Sequence, residues 1–461
     1  MKNNIPPSMI KIVTILKEAG YEAYFVGGCV RDMLMQRKTH DYDITTNALP
    51  QETMQIFAAK GYQVIPTGIK HGTITVLVNK EPVEITTYRI EQTYHDHRHP
   101  SAIIFTKDLK EDLKRRDFTM NAIAYDPTYC LYDPFHGAQD IAQKRIRCVG
   151  DATTRFQEDA LRMLRALRFS CVLDFTLDKA CGKAIQQNHN LLHYVSKERI
   201  REEFNRLLMG EKANTLQLLY DFHVLDEILP GYSALYGHEQ KTPWHIYDVF
   251  QHTDIALNHT KGYPLESKLA IIFHDWGKPA CESFDDNGIA HYKKHAYVSE
   301  QIAYEQMKAL KYDNKTIETV CLFIRYHDYY VHEKRSTLRR FVAHFHNDFT
   351  LAKQALDIQL ADDMAKNRTK SDEKIVIIKS CQRLLSIMEK EKDMLSMKDL
   401  AINGHDLIQL GFQGKTIGDV LKAVYEWVLE EPSRNEKDIL ERYIKTEFLN
   451  VCEYIGDAYE N

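Results

Sequence analysis

Two aspartates two residues apart, Asp41 and Asp43, follow a glycine turn in the stretch Phe25-Val-Gly-Gly-Cys-Val-Arg-Asp32. Residues i and i+2 of a strand face the same side, so this spacing aims two carboxylates at one point. Such hard oxygen donors suit Mg²⁺, which takes one or two carboxylates together with substrate phosphates. Ions held this way lower the pKa of an attacking hydroxyl and stabilise a departing pyrophosphate. Gly27 and Gly28 let the backbone approach a triphosphate, the helix that follows favours an anion at its N-terminus, and Arg31 can clamp phosphate oxygens. Glu84, between Val83 and Ile85, is a candidate third carboxylate. A bare D-x-D is most often a solvated pair beside a turn; the GG-x-x-RD upstream is what turns the reading toward chemistry.

A second cluster is Lys114-Arg-Arg-Asp-Phe-Thr-Met-Asn-Ala122. Here Arg116 is suited to holding phosphate, Asn121 to meeting a ribose or a metal-bound water, and Asp117 to orienting one of these groups. A third is Glu158-Asp-Ala-Leu-Arg-Met-Leu-Arg-Ala-Leu-Arg168. On a continuous helix Glu158 and Arg162 are four apart, and Arg162, Arg165 and Arg168 form a positive ridge opposite Leu161, Leu164 and Leu167. In isolation this is an ordinary amphipathic helix. Read chemically, Asp159 offers acceptors and Arg162 a planar fork of donors. Cytosine and adenine both show an amino donor beside a ring-nitrogen acceptor, while guanine and uracil show the reverse. One Asp and one Arg could thus accept CTP and ATP and refuse GTP and UTP, with no nucleic-acid template required. A mismatched hydrogen-bonding edge is rejected by roughly 10⁴-fold or more.

These groups need elements to carry them. Strands are expected at 22–26, 41–45, 73–78, 83–88 and 122–125, the third and fourth as a hairpin, with a helix over 29–35. The polar stretch 90–114, with His95, His97, His99 and Pro100, reads as a mobile loop. After Val149-Gly150 the pattern turns helical, with amphipathic segments at 157–169 and 197–209. A linker is expected near Gly231 and over 237–243, then a histidine-rich helical block over 245–367. Charged helix follows, with turns at Asn403-Gly404 and 411–414.

The 461 residues exceed one ordinary core. Hydrophobic residues at 44% and charged residues at 27% exclude a disordered or fibrous chain. No apolar run reaches the roughly 18 to 20 residues of a membrane helix, so no membrane association is expected. The N-terminal MKNNIPPSMIKIV lacks a secretory signal. Nine scattered cysteines without a CxxC pair fit a reducing cytoplasm. With a net charge of −5, any nucleic-acid contact must use a local positive face.

In order, GGCVRD, DYD, RRDFTMNA and EDALRMLRALRFS resemble the class II tRNA nucleotidyltransferases, the CCA-adding enzymes, and their relatives the bacterial poly(A) polymerases. The resemblance runs over about residues 20–235 and includes Pro66-Thr-Gly-Ile-Lys-His-Gly-Thr73. It implies an α+β fold, a small mixed-sheet nucleotidyltransferase head (1–150), then a helical neck (151–235), a domain at 236–367 and a C-terminal helical body and tail (368–461). It implies Mg²⁺ at Asp41 and Asp43. Nucleotide contacts fall to Gly28, Arg31, Arg116, Asp159, Arg162, Arg165 and Arg168, with Glu158 steadying Arg162. The implied reaction transfers CMP twice and AMP once from CTP and ATP to the 3′ end of tRNA, releasing pyrophosphate. Residues 86–112 match the family's loop for the switch from C to A. The tail Leu400-Ala-Ile-Asn-Gly-His-Asp-Leu-Ile408 is more weakly similar. A poly(A) or A-adding enzyme shares the head motifs and stays open at this point. Oligomeric state is not legible.

His252, His274-Asp275 and Asp362, with Phe273-His-Asp-Trp-Gly-Lys278, resemble the HD superfamily of metal-dependent phosphohydrolases over about 243–367. Mixed histidine and aspartate ligands suit a transition metal or Mg²⁺. The resemblance implies a second divalent metal on those four residues, with His295 and His327 as further ligands for another ion. Two other readings remain: a phosphohydrolase whose N-terminal half senses nucleotide, and a tRNA-binding module without catalysis.

Overall fold

Ile74, Val76 and Val78 alternate along Thr73–Val78 and are all buried, which fixes the inward face of a central strand. The computed structural model describes residues 5–39, 41–91, 102–128, 130–393 and 396–449. The expected loop histidines His95, His97 and His99 lie outside them. The head strands are β1 (Ala23–Val26), β2 (Asp43–Thr46), β3 (Gln63–Gly68), β4 (Thr73–Val78), β5 (Glu81–Thr87), β6 (Arg89–Glu91), β7 (Ile103–Phe105), β8 (Ala124–Asp126) and β9 (Cys130–Tyr132). Seven form one sheet in the order β3-β4-β5-β2-β1-β8-β9, while β6 and β7 pair separately. The β2–β5 pairing is parallel and the other pairings in the large sheet are antiparallel, so the sheet is mixed. In register, Asp43 lies opposite Val26 on one side and Glu84 on the other.

The β4–β5 hairpin turns on Asn79 and Lys80, both left-handed with φ of 53° and 70°. That is the primed two-residue turn whose twist matches its strands. Two boundaries differ from expectation. Strand β2 starts at Asp43 rather than Asp41, so Asp41 precedes the ladder. The stretch expected to be a loop carries β6, β7 and a short helix, Leu109–Lys114, capped by the Asp108 carboxylate at the Lys110 N–H.

Helices α1 (Pro7–Glu18), α2 (Gly28–Leu34), α3 (Pro50–Ala59), α4 (Leu109–Lys114) and α5 (Gly137–Ala142) belong to the head. Next come α6 (Ala152–Glu158), α7 (Leu161–Leu173), α8 (Lys179–Asn188) and α9 (Lys197–Leu208). The expected single helix over 157–169 is two. Asp159 leaves helical geometry at φ −139°, ψ 102°, and its Oδ1 accepts the Leu161 N–H at 3.2 Å. A side chain that caps the next helix competes with continuing the last one. On α9, Ile200, Phe204, Leu207 and Leu208 form the buried stripe. Each is worth roughly 1.5–3 kcal/mol when fully buried.

The chain divides into two compact units, residues 1–233 with 309–312, and residues 234–308 with those from 313 on. The second is helical. Helices Val249–Asn258, Leu265–Phe273, Asn314–Tyr326 and Phe349–Met364 surround its histidines, and Arg368–Glu391 packs along the last of them through Lys374–Asp363 at 3.2 Å and Gln382–Asp357 at 2.7 Å. A separate core near the C-terminus gathers Leu407, Val420, Val424, Val428, Leu440 and Ile444. Among the described residues, no helix is long and apolar enough to cross a membrane.

Candidate functional site

The turn between β1 and α2 is set by Gly27, at φ 79° and ψ −134°. An L side chain is disfavoured there twice over, because an added Cβ would also stand 3.0 Å from an Arg116 guanidinium nitrogen and 3.7 Å from Asp43 Oδ2. The close approach therefore belongs to Gly27. Gly28 opens α2, and a Cβ there would make only an ordinary 3.7 Å contact with Arg31. Helix α2 is seven residues long, so its first-turn N–H groups matter more than any macrodipole.

Asp43 is half-buried. Burial lifts its carboxyl above the usual range against the pull of Arg116, and the neighbouring Glu84 and Asp41 lift it further. Glu84 and Asp41 thus both act against the charge on Asp43 beside Arg116, and a hard cation would relieve it. Carboxylate oxygens are the donors a hard divalent ion takes, although Asp41, Asp43 and Glu84 together do not converge as tightly as a three-ligand site does.

From Arg31 a continuous polar network crosses the unit. Arg31 donates to Asp32 Oδ1 at 2.9 Å and to Asn121 Oδ1 at 2.9 Å. Asn121 Nδ2 donates to Asp117 Oδ1 at 3.1 Å. Asp117 Oδ2 accepts two bonds from Arg165, at 3.0 and 2.7 Å. Arg165 and Arg168 both reach the buried Glu203, at 3.6 and 2.6 Å. Burial opposes ionisation of Asp117, yet Arg165 and Asn121 outweigh it and hold the carboxyl at about 2. Phe169 lies beneath three guanidinium groups, with Arg31, Arg165 and Arg168 at 5.0, 5.6 and 4.0 Å from its ring centre.

The base-reading candidates sit at the α6–α7 break. Arg162 is buried and donates to Glu158 Oε2 at 2.6 Å, to the Arg155 carbonyl at 3.1 Å and to the Arg115 carbonyl at 3.2 Å. So the Glu158–Arg162 pair forms even though the helix between them is broken. Asp159 Oδ2 accepts from Arg199 at 3.0 Å. The tripeptide Arg115-Arg116-Asp117 ties the parts together. Its first carbonyl holds Arg162, its second guanidinium stands beside Asp43, and its third carboxylate holds Arg165. The expected residues of the first three clusters are thereby joined through one short segment.

Arg199 and Glu203 were absent from the sequence expectations. They lie in Lys197-Glu-Arg-Ile-Arg-Glu-Glu-Phe-Asn-Arg206, where charge alternation gives no sign of which residue turns inward. Asp112 is a further one, fully buried with Arg115 at 3.0 Å and Thr45 at 3.1 Å.

In the second unit His252, His274, Asp275 and Asp362 are all buried and converge closely enough to share one ion. His252 Nε2 lies 2.9 Å from Asp362 Oδ1, and His274 Nε2 lies 3.1 Å from Asp275 Oδ2. Asp275 also belongs to a second set with His295 and His327, whose Nε2 atoms are 3.1 Å apart. Tautomers decide what this means. The Nδ1 atoms of His274, His295 and His327 lie 2.7, 2.9 and 2.7 Å from the backbone carbonyls of Ile271, Tyr292 and Ile324. A carbonyl only accepts, so each Nδ1 carries the hydrogen and each Nε2 faces the cluster, where burial is outweighed by Asp275 and Asp362, which raise His274, while burial and the neighbouring His295 lower His327. The Nε2 atoms of His295 and His327 face each other, and that of His274 faces a carboxylate. Ligand atoms crowded in this way fit a metal ion. Two ammonium groups flank them, Lys278 at 2.6 Å from Asp275 and Lys366 at 2.7 Å from Asp362, at the edge of a cleft of about 630 Å³. Among the described residues, the three-or-more-residue sets compact enough for one ion are these two.

Three family models match the chain: the poly A polymerase head domain over 23–147, a probable RNA and SrmB-binding site of polymerase A over 174–235, and a putative tRNA nucleotidyltransferase domain 2 over 293–444. A CCA-adding enzyme of Lactobacillus helveticus is 46% identical over 235 residues, covering 50% of this chain and 58% of that protein. The match to that relative thus spans little more than half its length. A CCA-adding enzyme of Listeria monocytogenes is 34% identical over 455 residues, 98% of this chain and 99% of its own. Among solved structures, the Bacillus stearothermophilus CCA-adding enzyme in complex with CTP aligns with a TM-score of 0.74 and 30% identity, over 96% of this chain and 99% of the other.

Proposed function

Because this chain belongs to the family of CCA-adding enzymes, which are nucleotidyltransferases, we propose that it completes the 3′ end of tRNA with CMP, CMP and AMP drawn from CTP and ATP. The primer's 3′ hydroxyl loses its proton to solvent, its oxygen bonds to the α-phosphorus, the bond from that phosphorus to the oxygen bridging to the β-phosphate breaks, and pyrophosphate leaves. Family membership implies a divalent metal, and we assign Mg²⁺ to Asp41 and Asp43. When bound it supplies Lewis-acid activation of the hydroxyl and neutralises the leaving group.

The protein's own groups do the rest. Gly27 and Gly28 bring backbone close to the triphosphate, and Arg31, Arg116, Arg165 and Arg168 neutralise it. Asp117 and Asn121 hold two of those arginines. Asp159 accepts from the amino group that cytosine and adenine share, and Arg162, braced by Glu158, donates to the adjoining ring nitrogen. A cytoplasmic location follows from the substrate. The observation that carries the reading is the Arg115-Arg116-Asp117 bridge, which links Asp43 to Arg162 and Arg165. Replacing Asp41 and Asp43 by Ala tests it. Transfer to tRNA should vanish while CTP binding by equilibrium dialysis persists, and undiminished transfer would remove the acidic pair from the reaction.

A second reading concerns the other unit, where the convergence of buried histidines and aspartates favours cation binding. His252, His274, Asp275 and Asp362 hold one divalent ion, and Asp275, His295 and His327 another, with phosphoester hydrolysis as the chemistry such a centre supports. Imidazole-rich ligation favours a transition metal there. Elemental analysis of the intact protein should find two ions per chain, and one fewer in His327→Ala. A metal content unaffected by His327→Ala would refute the second position.

A further inference from the structure

Each half of the base reader is braced by a charge of the opposite sign, but only one brace comes from the motif itself. Glu158 grips Arg162 at 2.6 Å and is in turn held by Arg155 at 2.7 Å. The matching grip on Asp159 comes from α9, forty residues on, where Arg199 donates to Oδ2 at 3.0 Å. We propose that Arg199 is a specificity-determining positioning residue, which fixes the Asp159 carboxylate in the orientation that accepts an amino group from the incoming base. The inference rests on the reading of Asp159 and Arg162 given above.

Geometry shows why Asp159 needs an outside partner. It stands at a break between two helices, in extended backbone rather than on a helical scaffold. Its Oδ1 is occupied by the Leu161 N–H at 3.2 Å, which fixes one oxygen but leaves the carboxylate plane to rotate about that contact. A second, charge-assisted bond to Oδ2 removes that rotation, and each oxygen keeps a lone pair for a ligand. The helix that supplies Arg199 is itself anchored by the buried Ile200 and Phe204, so the guanidinium is presented from a fixed base.

A further feature points to the same place. The second terminal nitrogen of Arg199, Nη1, is buried without a hydrogen-bond partner. A buried donor left unpaired is costly, so this nitrogen favours an acceptor beside Asp159. The group that orients Asp159 therefore also has hydrogen-bonding capacity unused by the protein.

Selectivity tells orientation from mere support. The ratio of kcat/KM for CTP to that for UTP is to be measured on tRNA lacking CCA, with the intact chain. Arg199→Met should lower the ratio roughly tenfold or more, the worth of one charge-assisted hydrogen bond. Arg199→Lys, which restores a donor, should regain most of it. Asp159→Ala should lower the ratio at least as far, and Asp159→Ala with Arg199→Met no further, because the arginine acts through the aspartate. Arg199→Gln replaces the Met variant if that one does not fold. A ratio kept in Arg199→Met but lost in Asp159→Ala would overturn the role of Arg199 and leave the base reader standing. An additive loss in the double variant would overturn it too. Survival of the ratio in Asp159→Ala and Arg162→Ala alike would remove the base reader, and the role of Arg199 with it.

Discussion

Replacing Asp117 by Asn keeps its shape and removes its charge. The carboxyl lies at about 2 in the folded protein against an ordinary 3.8. At ~1.4 kcal/mol per unit, its ionised form gains about 2 to 3 kcal/mol on folding. The Asn amide would in addition turn a donor toward Arg165, so the loss approaches the ~3–5 kcal/mol typical of a broken buried pair. A folded-state value below the unfolded one gives stability that is fully present above about 4 and is lost as pH falls toward 2. The gap between wild type and Asp117→Asn should hence be flat from pH 8 to 5 and should narrow below pH 4. Urea melts resolve it, because all three tryptophans, Trp244, Trp276 and Trp427, lie in the second unit. Fluorescence should follow that unit and stay unchanged, while circular dichroism should report the weakened first unit. A gap under ~1 kcal/mol at pH 7, or one that persists undiminished at pH 2.5, would refute the charge argument.

Phe169→Leu keeps an apolar side chain under Arg31, Arg165 and Arg168 but removes the ring face, at ~0.5–1 kcal/mol per contact. KM for CTP and ATP should rise together by about tenfold with the CTP to UTP ratio unmoved, and a change in that ratio would contradict the platform role. Asp357 is raised to about 6, burial outweighing its bond from Gln382. That raised value gives stability present below about 4 and lost as pH rises through 6. Asp357→Asn should therefore melt higher than wild type at pH 8 and alike at pH 4 by tryptophan fluorescence, and equal melting at both would count against it.

How far the site was legible depended on whether its residues act locally. GG-x-x-RD and D-x-D announce themselves because a left-handed turn and paired carboxylates need particular residue types. Even so, the spacing pointed to Gly28 as much as Gly27, and only the approach of Arg116 and Asp43 shows which glycine the turn depends on. The stretch from Glu158 to Arg168 is so regular that a single helix was the natural expectation. At the break the Asp159 carboxylate accepts the Leu161 N–H, a local competition that periodicity does not register. Arg199, Glu203 and Asp112 were invisible for another reason. Each has a partner tens of residues away, Asp159, Arg168 and Thr45 respectively, and in sequence they are ordinary helix charges. The mixed sheet and helical remainder were readable from hydrophobic period, but β3 was not, since its residues are mostly exposed.

The central claim is that protein side chains, without a template, choose CTP twice and ATP once. Incubating the purified chain with tRNA that ends before the first C, all four nucleoside triphosphates and a divalent metal, then sequencing the extended 3′ ends, tests it directly. The account predicts CCA and no further growth. Long A tracts, incorporation of U or G at comparable frequency, or an unextended end would contradict it.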